Sequence, residues 1–499
     1  MRNIYALNEY EVLRSDRCDT CGVCVKQCGY GVHYFDENHH LCVDEMKCVN
    51  CQRCVVFCHA HALKIIRNRN EMHHNDYWSE RERKEIYKQA TQSGILLSSM
   101  GSSQKQKCYF DHLMLNASQV TNPSIDPLRE PMETKVFLGK KTRDVSRDEN
   151  GKLILKDEPY LKLDVPILFS AMSLGAISYP AHKSILEAAK ECNTYYNAGE
   201  GGLHPDFFKD KEHVIVQVAS GRFGIEKKVL DACAAVEIKI GQGAKPGIGG
   251  HLPSNKNTEI VAKTRMIQQG SEAISPAPHH DIYSIEDLHQ LVMLIKEATH
   301  YTKPVIVKVA AVHNISAITS GIARSGADII CIDGYRGGSG AAPTRIRDHV
   351  GIPIELAIAS VDERLREEGL RDQVSLIASG GIRNSADVVK AIALGADAVS
   401  IGTAALVALG CHLCQNCHSG ICNWGIATQR EDLCARLNPQ IGKQALVNLI
   451  RSWTYEIREI MGGMGINSIE SLKGNRLMLA AVDLNEKECE ILKVRYAGE

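Results

Sequence analysis

Twelve of the nineteen cysteines fall into three dense runs, and these are the residues best placed to do chemistry. Cys18, Cys21, Cys24 and Cys28 spell C-x2-C-x2-C-x3-C, and Cys48, Cys51, Cys54 and Cys58 repeat that spacing thirty residues later. A third group, Cys411, Cys414, Cys417 and Cys422, lies toward the far end of the chain. Thiols spaced two residues apart bring several sulfurs around one small centre, which suits a metal cluster. A single zinc ion needs four ligands and gives no reason for a three-plus-one spacing. Disulfide partners would not be bunched in this way. Cys192, Cys233 and Cys331 stand singly in apolar segments and read as small hydrophobes.

Glycine is the second chemical signal. Ser379-Gly380-Gly381-Ile382-Arg383 and Gly402-Thr403-Ala404 each close an apolar, β-rich run. Backbone N–H groups without side chains in the way approach a phosphate closely, and a helix N-terminus behind them favours its charge. The ends of the last two strands are where a (β/α)8 barrel holds phosphate, so a phosphorylated ligand such as FMN is expected.

The elements that must position these residues are legible as pattern. Eight short apolar runs cover 166–172, 193–199, 213–219, 235–240, 304–310, 327–333, 374–379 and 396–402. Continuous rather than alternating hydrophobicity is what strands covered on both faces require. Helix-like segments such as AHKSILEAAKEC and SAITSGIARSG follow the strands, and NSADVVKAIALG opens with a cap at Asn384 or Ser385. Eight such units in about 250 residues specify an α/β fold, a TIM barrel, over a doubly wound sheet. GQGAKPGIGG follows a strand but contains Pro246 and no helix-opening GxGxxG, so no nicotinamide domain is read. Four segments result. A small α+β, bacterial-type ferredoxin domain is expected over 1–67 and a pre-barrel stretch over 68–159. The barrel with its cysteine loop (411–422) is expected over 160–430, and a C-terminal helical extension over 431–499. Within the second, EMHHNDYWSERERKEIYKQA reads as a solvated helix and TQSGILLSSMGSSQ as linker or loop.

A formal net charge of -1, with 44% hydrophobic and 23% charged residues, gives no reason to expect nucleic acid or a membrane as partner. No apolar run reaches the roughly 18 residues of a membrane helix. MRNIYALNEYEVLR carries charges where a signal peptide is apolar. A cytoplasmic protein is expected.

The duplicated run has the spacing of bacterial two-cluster ferredoxins, in which three thiolates of one run and the fourth of the other hold each [4Fe–4S] cube. The Pro that follows the fourth Cys in that pattern is replaced here by Gly29 and His59. Further along stand FSAMSLGAIS, NAGEGG, QVASGRFG, EIKIGQGAKPG, SPAPHHDIYSIEDL, DGYRGGSGAAP and ASGGIR. Over roughly 160 to 430 these closely resemble the synthase domain of glutamate synthases, and with the ferredoxin module the whole looks like the archaeal-type large subunit. The resemblance implies FMN, a [4Fe–4S] or [3Fe–4S] cluster beside the barrel, and reductive conversion of 2-oxoglutarate and ammonia to glutamate through an imine.

The resemblance also implies roles. Ser170, Ala171, Met172 and Ser173 would line the flavin. Gln217 and Lys308 would meet its ring edge, where a cation stabilises the reduced ring, with Asp333 and Gly338 among the cofactor contacts. Gly380, Gly381, Gly402 and Thr403 would hold the phosphate. Lys239, Gln242, Lys245 and Arg265 would surround the dicarboxylate, Arg265 as a two-pronged clamp and Lys239 polarising the departing oxygen.

Two positions depart from the bifunctional members of the family: Ile248 stands where they carry Glu and Tyr335 where they carry His. The chain does not begin with the Cys nucleophile of an amidotransferase, so ammonia is expected from a separate glutaminase subunit or from solution. The resemblance leaves ferredoxin, a deazaflavin enzyme or an NAD(P)H-oxidising partner as electron donor, and an oligomer is expected. Two rival readings share the barrel: an N-methylglutamate synthase-like enzyme using another amine, and a flavin and iron–sulfur electron-transfer subunit without amination. Hydroxy-acid oxidases lack the cysteine runs. IMP dehydrogenase-like proteins need a catalytic Cys loop after strand six, where this chain has Gly337-Gly338-Ser339-Gly340.

Overall fold

Strands that are apolar on both faces must be walled in, and the eight runs meet that need by closing on one another. The computed structural model describes residues 8–68, 75–141, 145–155 and 158–499. The strands are β1 (Ile167–Phe169), β2 (Tyr196–Asn197), β3 (Val214–Val218), β4 (Ala235–Lys239), β5 (Val305–Ala310), β6 (Ile329–Asp333), β7 (Ser375–Ser379) and β8 (Ala398–Ile401). They form a closed parallel barrel, with Ile167 of β1 paired to Val399 of β8 at the seam. Each strand lies inside one of the expected runs.

The covering helices start where their caps dictate. Ser178 caps Tyr179–Glu191, which has Pro180 in its first turn, and Asn384 caps Ser385–Ala393. Ile285–Ala298, Ile315–Arg324 and Ile354–Glu367 complete the better part of the ring. A full helix does not follow every strand, however. β2 is followed by 3-10 turns over Pro205–His213 and β3 by the short helix Lys227–Asp231. The β4–β5 connection is long and carries the hairpin of His251–Leu252 with Ala273–Ile274 and the helix Glu259–Arg265.

The eighth covering helix lies beyond the boundary expected at 430. Pro439–Gly463 buries Leu446, Val447, Ile450, Trp453, Ile457 and Met461, the spacing of one helix face, against Tyr179–Glu191 and Ser385–Ala393. The barrel layer therefore runs to 463. The tail then pairs Leu479–Ala481 with Leu113–Leu115 from the pre-barrel segment and with Arg495–Tyr496.

Of the two readings of 91–104, linker or loop, the structure shows a loop held against the barrel. Leu97–Ser98 pairs with Ala342–Pro343, and the buried Ser99 hydroxyl donates to Gly340 O at 2.8 Å and accepts from His418 N at 3.0 Å. Serine composition resembles that of a linker, but here the hydroxyls are hydrogen-bond partners of barrel loops. The charged helix before it spans Glu80–Gln92, capped by Ser79 and tied to buried Asp348 through Arg81. The start of the helix expected there, residues 71–74, lies outside the described residues. The ferredoxin module pairs Tyr10–Arg14 with Leu63–Arg67 and His33–Phe35 with Leu41–Val43, with short helices Val23–Gln27 and Arg53–Val56 inside the two cysteine runs. No helix among the described residues is long and apolar enough to cross a membrane.

At the N-terminal ends of the strands a buried ionic network ties the base together. Arg371 donates to Asp362 Oδ1 at 2.7 Å, to Asp397 Oδ2 at 2.7 Å, and to the carbonyls of Val374 and Gly395. Lys473 also contacts Asp397. Removing one member of a buried ion set strands the others without countercharge, at about 3–5 kcal/mol. Arg371→Ala should therefore destabilise the chain by about that amount, read as a lowered midpoint in denaturant unfolding, while Arg366→Ala on the exposed side of the same network should cost about 1 kcal/mol or less.

A candidate redox site at the barrel mouth

The C-terminal strand ends open into one cavity of 650 Å³. Fifteen of the sixteen residues expected to bind cofactor or substrate line it: Ser170, Ala171, Met172, Ser173, Gln217, Lys239, Gln242, Lys245, Lys308, Asp333, Gly338, Gly380, Gly381, Gly402 and Thr403. Arg265 is the exception. It is 3% exposed and sits behind the wall, where Nη2 donates to Ser173 Oγ and to Leu174 O, each at 3.1 Å. Its helix lies in the long β4–β5 connection, and sequence spacing could not place that connection relative to the strand ends.

One side of the cavity is a cradle that only glycine fits. Gly380 has φ +92°, and a Cβ there would lie 2.5 Å from Gly334 O. Gly381 has φ +107° and backs onto Arg336, while a Cβ on Gly338 would press on Thr403 Oγ1 at 3.2 Å. These backbones lie open to the cavity beside the start of the helix Thr403–Ala408, which is a donor set suited to a flavin phosphate. On the floor, Lys308 pairs with Asp333 at 3.6 Å, and Asp333 also accepts Gly243 N–H at 2.8 Å. Burial works against the Lys308 ammonium, but Asp333 and its other anionic neighbours hold it above the ordinary lysine value. Buried Glu237 accepts from Gln217 Nε2 at 2.6 Å and Asn197 Nδ2 at 3.0 Å. A carboxylate only accepts, so the Gln217 amide is held with its NH2 toward Glu237.

The other side is an acid–base set. Lys239 Nζ lies 3.3 Å from Glu200 Oε2, which also accepts from Ser275 Oγ at 3.2 Å. Burial pushes the Glu200 carboxyl up, yet Lys239, Arg265 and Lys245 together hold it below the usual carboxylate value. Lys245 donates to Ala341 O at 3.2 Å, and burial together with the Lys239 charge brings its ammonium down to about 8. Sequence reasoning missed Glu200, although the lone carboxylate in the glycine loop NAGEGG after β2 was a usable signal. It also missed Met100 and Gly101, which wall the cavity from the pre-barrel segment.

The cysteines lead to this cavity. Cys18, Cys21, Cys24 and Cys58 line one small hollow, while Cys28 is a charge neighbour of Cys48, Cys51 and Cys54. This is the crossed three-plus-one arrangement, and it fits two cubes. All nineteen cysteines are free, and among the described residues no three thiols lie within 4.8 Å of one another, although Asp19, Cys21 and His59 bring one carboxylate, one thiol and one imidazole that close. Cys411, Cys414 and Cys422 are charge neighbours of Cys417, which itself lines the cavity. The second run docks on this third group. Asn423 Oδ1 accepts Gly29 N–H at 2.7 Å, Asn423 Nδ2 donates to Cys51 Sγ at 3.2 Å, and Trp424 Nε1 donates to Cys51 O at 2.9 Å. Arg53 lies over the Trp424 ring at 5.0 Å, and His412 stacks on that ring at 4.6 Å.

The region conserved in glutamate synthases matches residues 104–467. The archaeal-type glutamate synthase (NADPH) of Dehalococcoides mccartyi is 57% identical over 485 residues, 97% of this chain and 97% of its own. The archaeal glutamate synthase (NADPH) of Methanocaldococcus jannaschii is 54% identical over 507 residues, 99% of each chain. Among solved structures, a flavocytochrome b2 variant with benzoylformate covers 80% of this chain and 83% of its own at 17% identity and a TM-score of 0.47. With a family match over most of its length and relatives of this identity along nearly all of it, the chain belongs to the glutamate synthase family and is an oxidoreductase of that type.

Proposed function

We propose that this chain makes glutamate from 2-oxoglutarate and ammonia, with FMN in the cavity and iron–sulfur clusters on the twelve clustered cysteines. The observation that carries the reading is the Lys239, Glu200 and Lys245 set facing a glycine cradle across one cavity that has Cys417 in its wall. When bound, FMN supplies the hydride for the imine carbon and the clusters supply it with single electrons.

The chain's own residues do the rest. Lys245 and Gln242 offer a cation and an amide donor to the carboxylates of the keto acid. Glu200 takes the proton that ammonium must lose before its nitrogen attacks the keto carbon, and Lys239 gives a proton to the oxygen that leaves as water. Lys308, fixed by Asp333, keeps positive charge in the floor of the cavity, where it stabilises negative charge on a reduced ring. Met100 and Gly101 on one side and Gly337–Ala341 on the other exclude water, which would hydrolyse the imine. Arg265 acts from behind the wall by holding Ser173 and by adding to the positive field on Glu200. The acid–base set favours amination over a plain electron relay, which has no use for it. The NADPH in the relatives' names is assigned to a separate NADPH-oxidising protein that reduces the ferredoxin module. Ammonia comes from solution or from a glutaminase subunit.

The pH dependence tests the substrate roles. Lys245 is cationic below about 8 and neutral above it, so the KM for 2-oxoglutarate should rise as pH passes upward through that value at fixed free ammonia. Lys245→Gln should raise KM by about tenfold at pH 7 and flatten the rise, since a charged hydrogen bond is worth about 1.5–3 kcal/mol. Glutamate formation with chemically reduced protein is the assay, and turnover with methylamine but not ammonium would move the reading to the N-methylglutamate alternative.

Metal content tests the cofactor roles. Anaerobically purified protein should release FMN and hold about twelve irons per chain, with all four thiolates of the third group ligating a cube. Cys414→Ala should then lose about one iron and gain the EPR signal of an oxidised three-iron cluster that the wild type lacks. That signal in the wild type, unchanged by the substitution, would rule Cys414 out as a ligand.

A further inference from the structure

Lysine is almost never fully buried unless paired. Among the other deeply buried lysines, Lys296 has Asp328 at 2.8 Å and Lys308 has Asp333 at 3.6 Å, while Lys245 lines the cavity beside Glu200. Lys256 has neither an ion-pair partner among the described residues nor a place in the cavity wall. It is 2% exposed, ends the 3-10 turn Ser254–Lys256 in the long β4–β5 connection, and donates to Cys417 O at 2.6 Å. Among the described residues no Asp or Glu pairs with it. Its charge neighbours are Cys417 and Cys422. The cysteine loop lies against it: Gly420 has φ +74°, and a Cβ there would come into contact with Lys256 Cε at 3.4 Å.

A buried ammonium facing only neutral thiols would be a costly arrangement, because an uncompensated charge in a dry environment is destabilising by several kcal/mol. The same ammonium facing thiolates that ligate a cluster has the anion it lacks. We propose that Lys256 is the built-in counter-cation of the cluster held by Cys411, Cys414, Cys417 and Cys422, and that it sets that cluster's reduction potential. This inference rests on the cluster reading proposed above. Each one-electron reduction, with the electron coming from the reduced ferredoxin module, adds one negative charge beside the ammonium. A fixed cation stabilises the more negative reduced state more than the oxidised one, and so raises the potential. Arg53 is also a charge neighbour of Cys422 but is shared with Cys51 at the seam with the ferredoxin module, whereas both thiols beside Lys256 belong to the third group.

The test is an EPR-monitored redox titration of anaerobically purified full-length protein, with the third-site signal identified as the one lost in Cys417→Ala. Lys256→Gln should move the midpoint of that signal to lower potential, or strip that cluster alone, and leave the two ferredoxin-module signals in place. Lys256→Arg, which restores the charge, should keep both the cluster and a midpoint close to wild type. An unchanged midpoint in Lys256→Gln, or equal loss of the cluster in both variants, would show a packing role only and overturn the inference. Wild-type protein that carries no iron would instead sink the cluster reading itself, and this inference with it.

Discussion

Contact between the cysteine module and the barrel centres on one buried side chain, Asn423. It is 1% exposed, its oxygen accepts Gly29 N–H and its nitrogen donates to Cys51 Sγ, so both ends of the amide are committed within the seam between module and barrel. A buried polar contact of this kind tolerates little displacement, because a broken bond leaves a donor or acceptor unpaired. Gly29 is half of the arrangement. A Cβ there would sit 2.7 Å from Asn423 Oδ1, and the proline usual after the fourth cysteine has no N–H to give. The departure at Gly29 from the two-cluster pattern thus seats the end of the first cysteine run on the same Asn423 that holds Cys51 of the second, and the third run in turn forms part of the cavity wall.

The barrel divides its charges between two ends. At the base, Arg371, Asp362, Asp397 and Lys473 neutralise one another and are spent on rigidity. At the mouth, Lys239, Lys245 and Glu200 are only partly matched, with cations in excess of the carboxylate. That surplus sits where a dicarboxylate and a reduced flavin would bring negative charge, so under the proposed chemistry the ligands complete the electrostatics. The division follows the general rule of the fold, in which the N-terminal strand ends serve stability and the C-terminal ends serve chemistry.

The strands and the glycines at their ends were legible in the sequence because both obey local rules. A strand walled on both faces must be continuously apolar, as Val305–Ala310 is, and a backbone at φ +92° beside another carbonyl must be glycine, as Gly380 is. The grouping of the cysteines was legible for the same reason, through spacing alone. Features that depend on tertiary packing were not. Ser99 and Met100 read as linker because nothing local says that a barrel loop will bond to them. Arg265 matched a motif, yet the insertion that carries it folds it behind the wall. Pro439–Gly463 had a helical pattern but no signal that it would close the ring. Lys256 carries no local sign of burial, because the cysteine loop that covers it comes from far along the chain.

The claim that joins these parts is that electrons stored on the cysteine-bound clusters and the cavity cofactor end up on the carbon of an imine built from 2-oxoglutarate. A single-turnover experiment addresses it most directly. Anaerobic protein, chemically reduced and freed of excess reductant, is mixed with 2-oxoglutarate and 15N-labelled ammonium while flavin absorbance is followed. The account predicts that the bleached flavin band returns and that 15N-glutamate forms in proportion to the electron pairs stored. Flavin that stays reduced in the presence of both substrates, or that reoxidises without labelled glutamate, would contradict it.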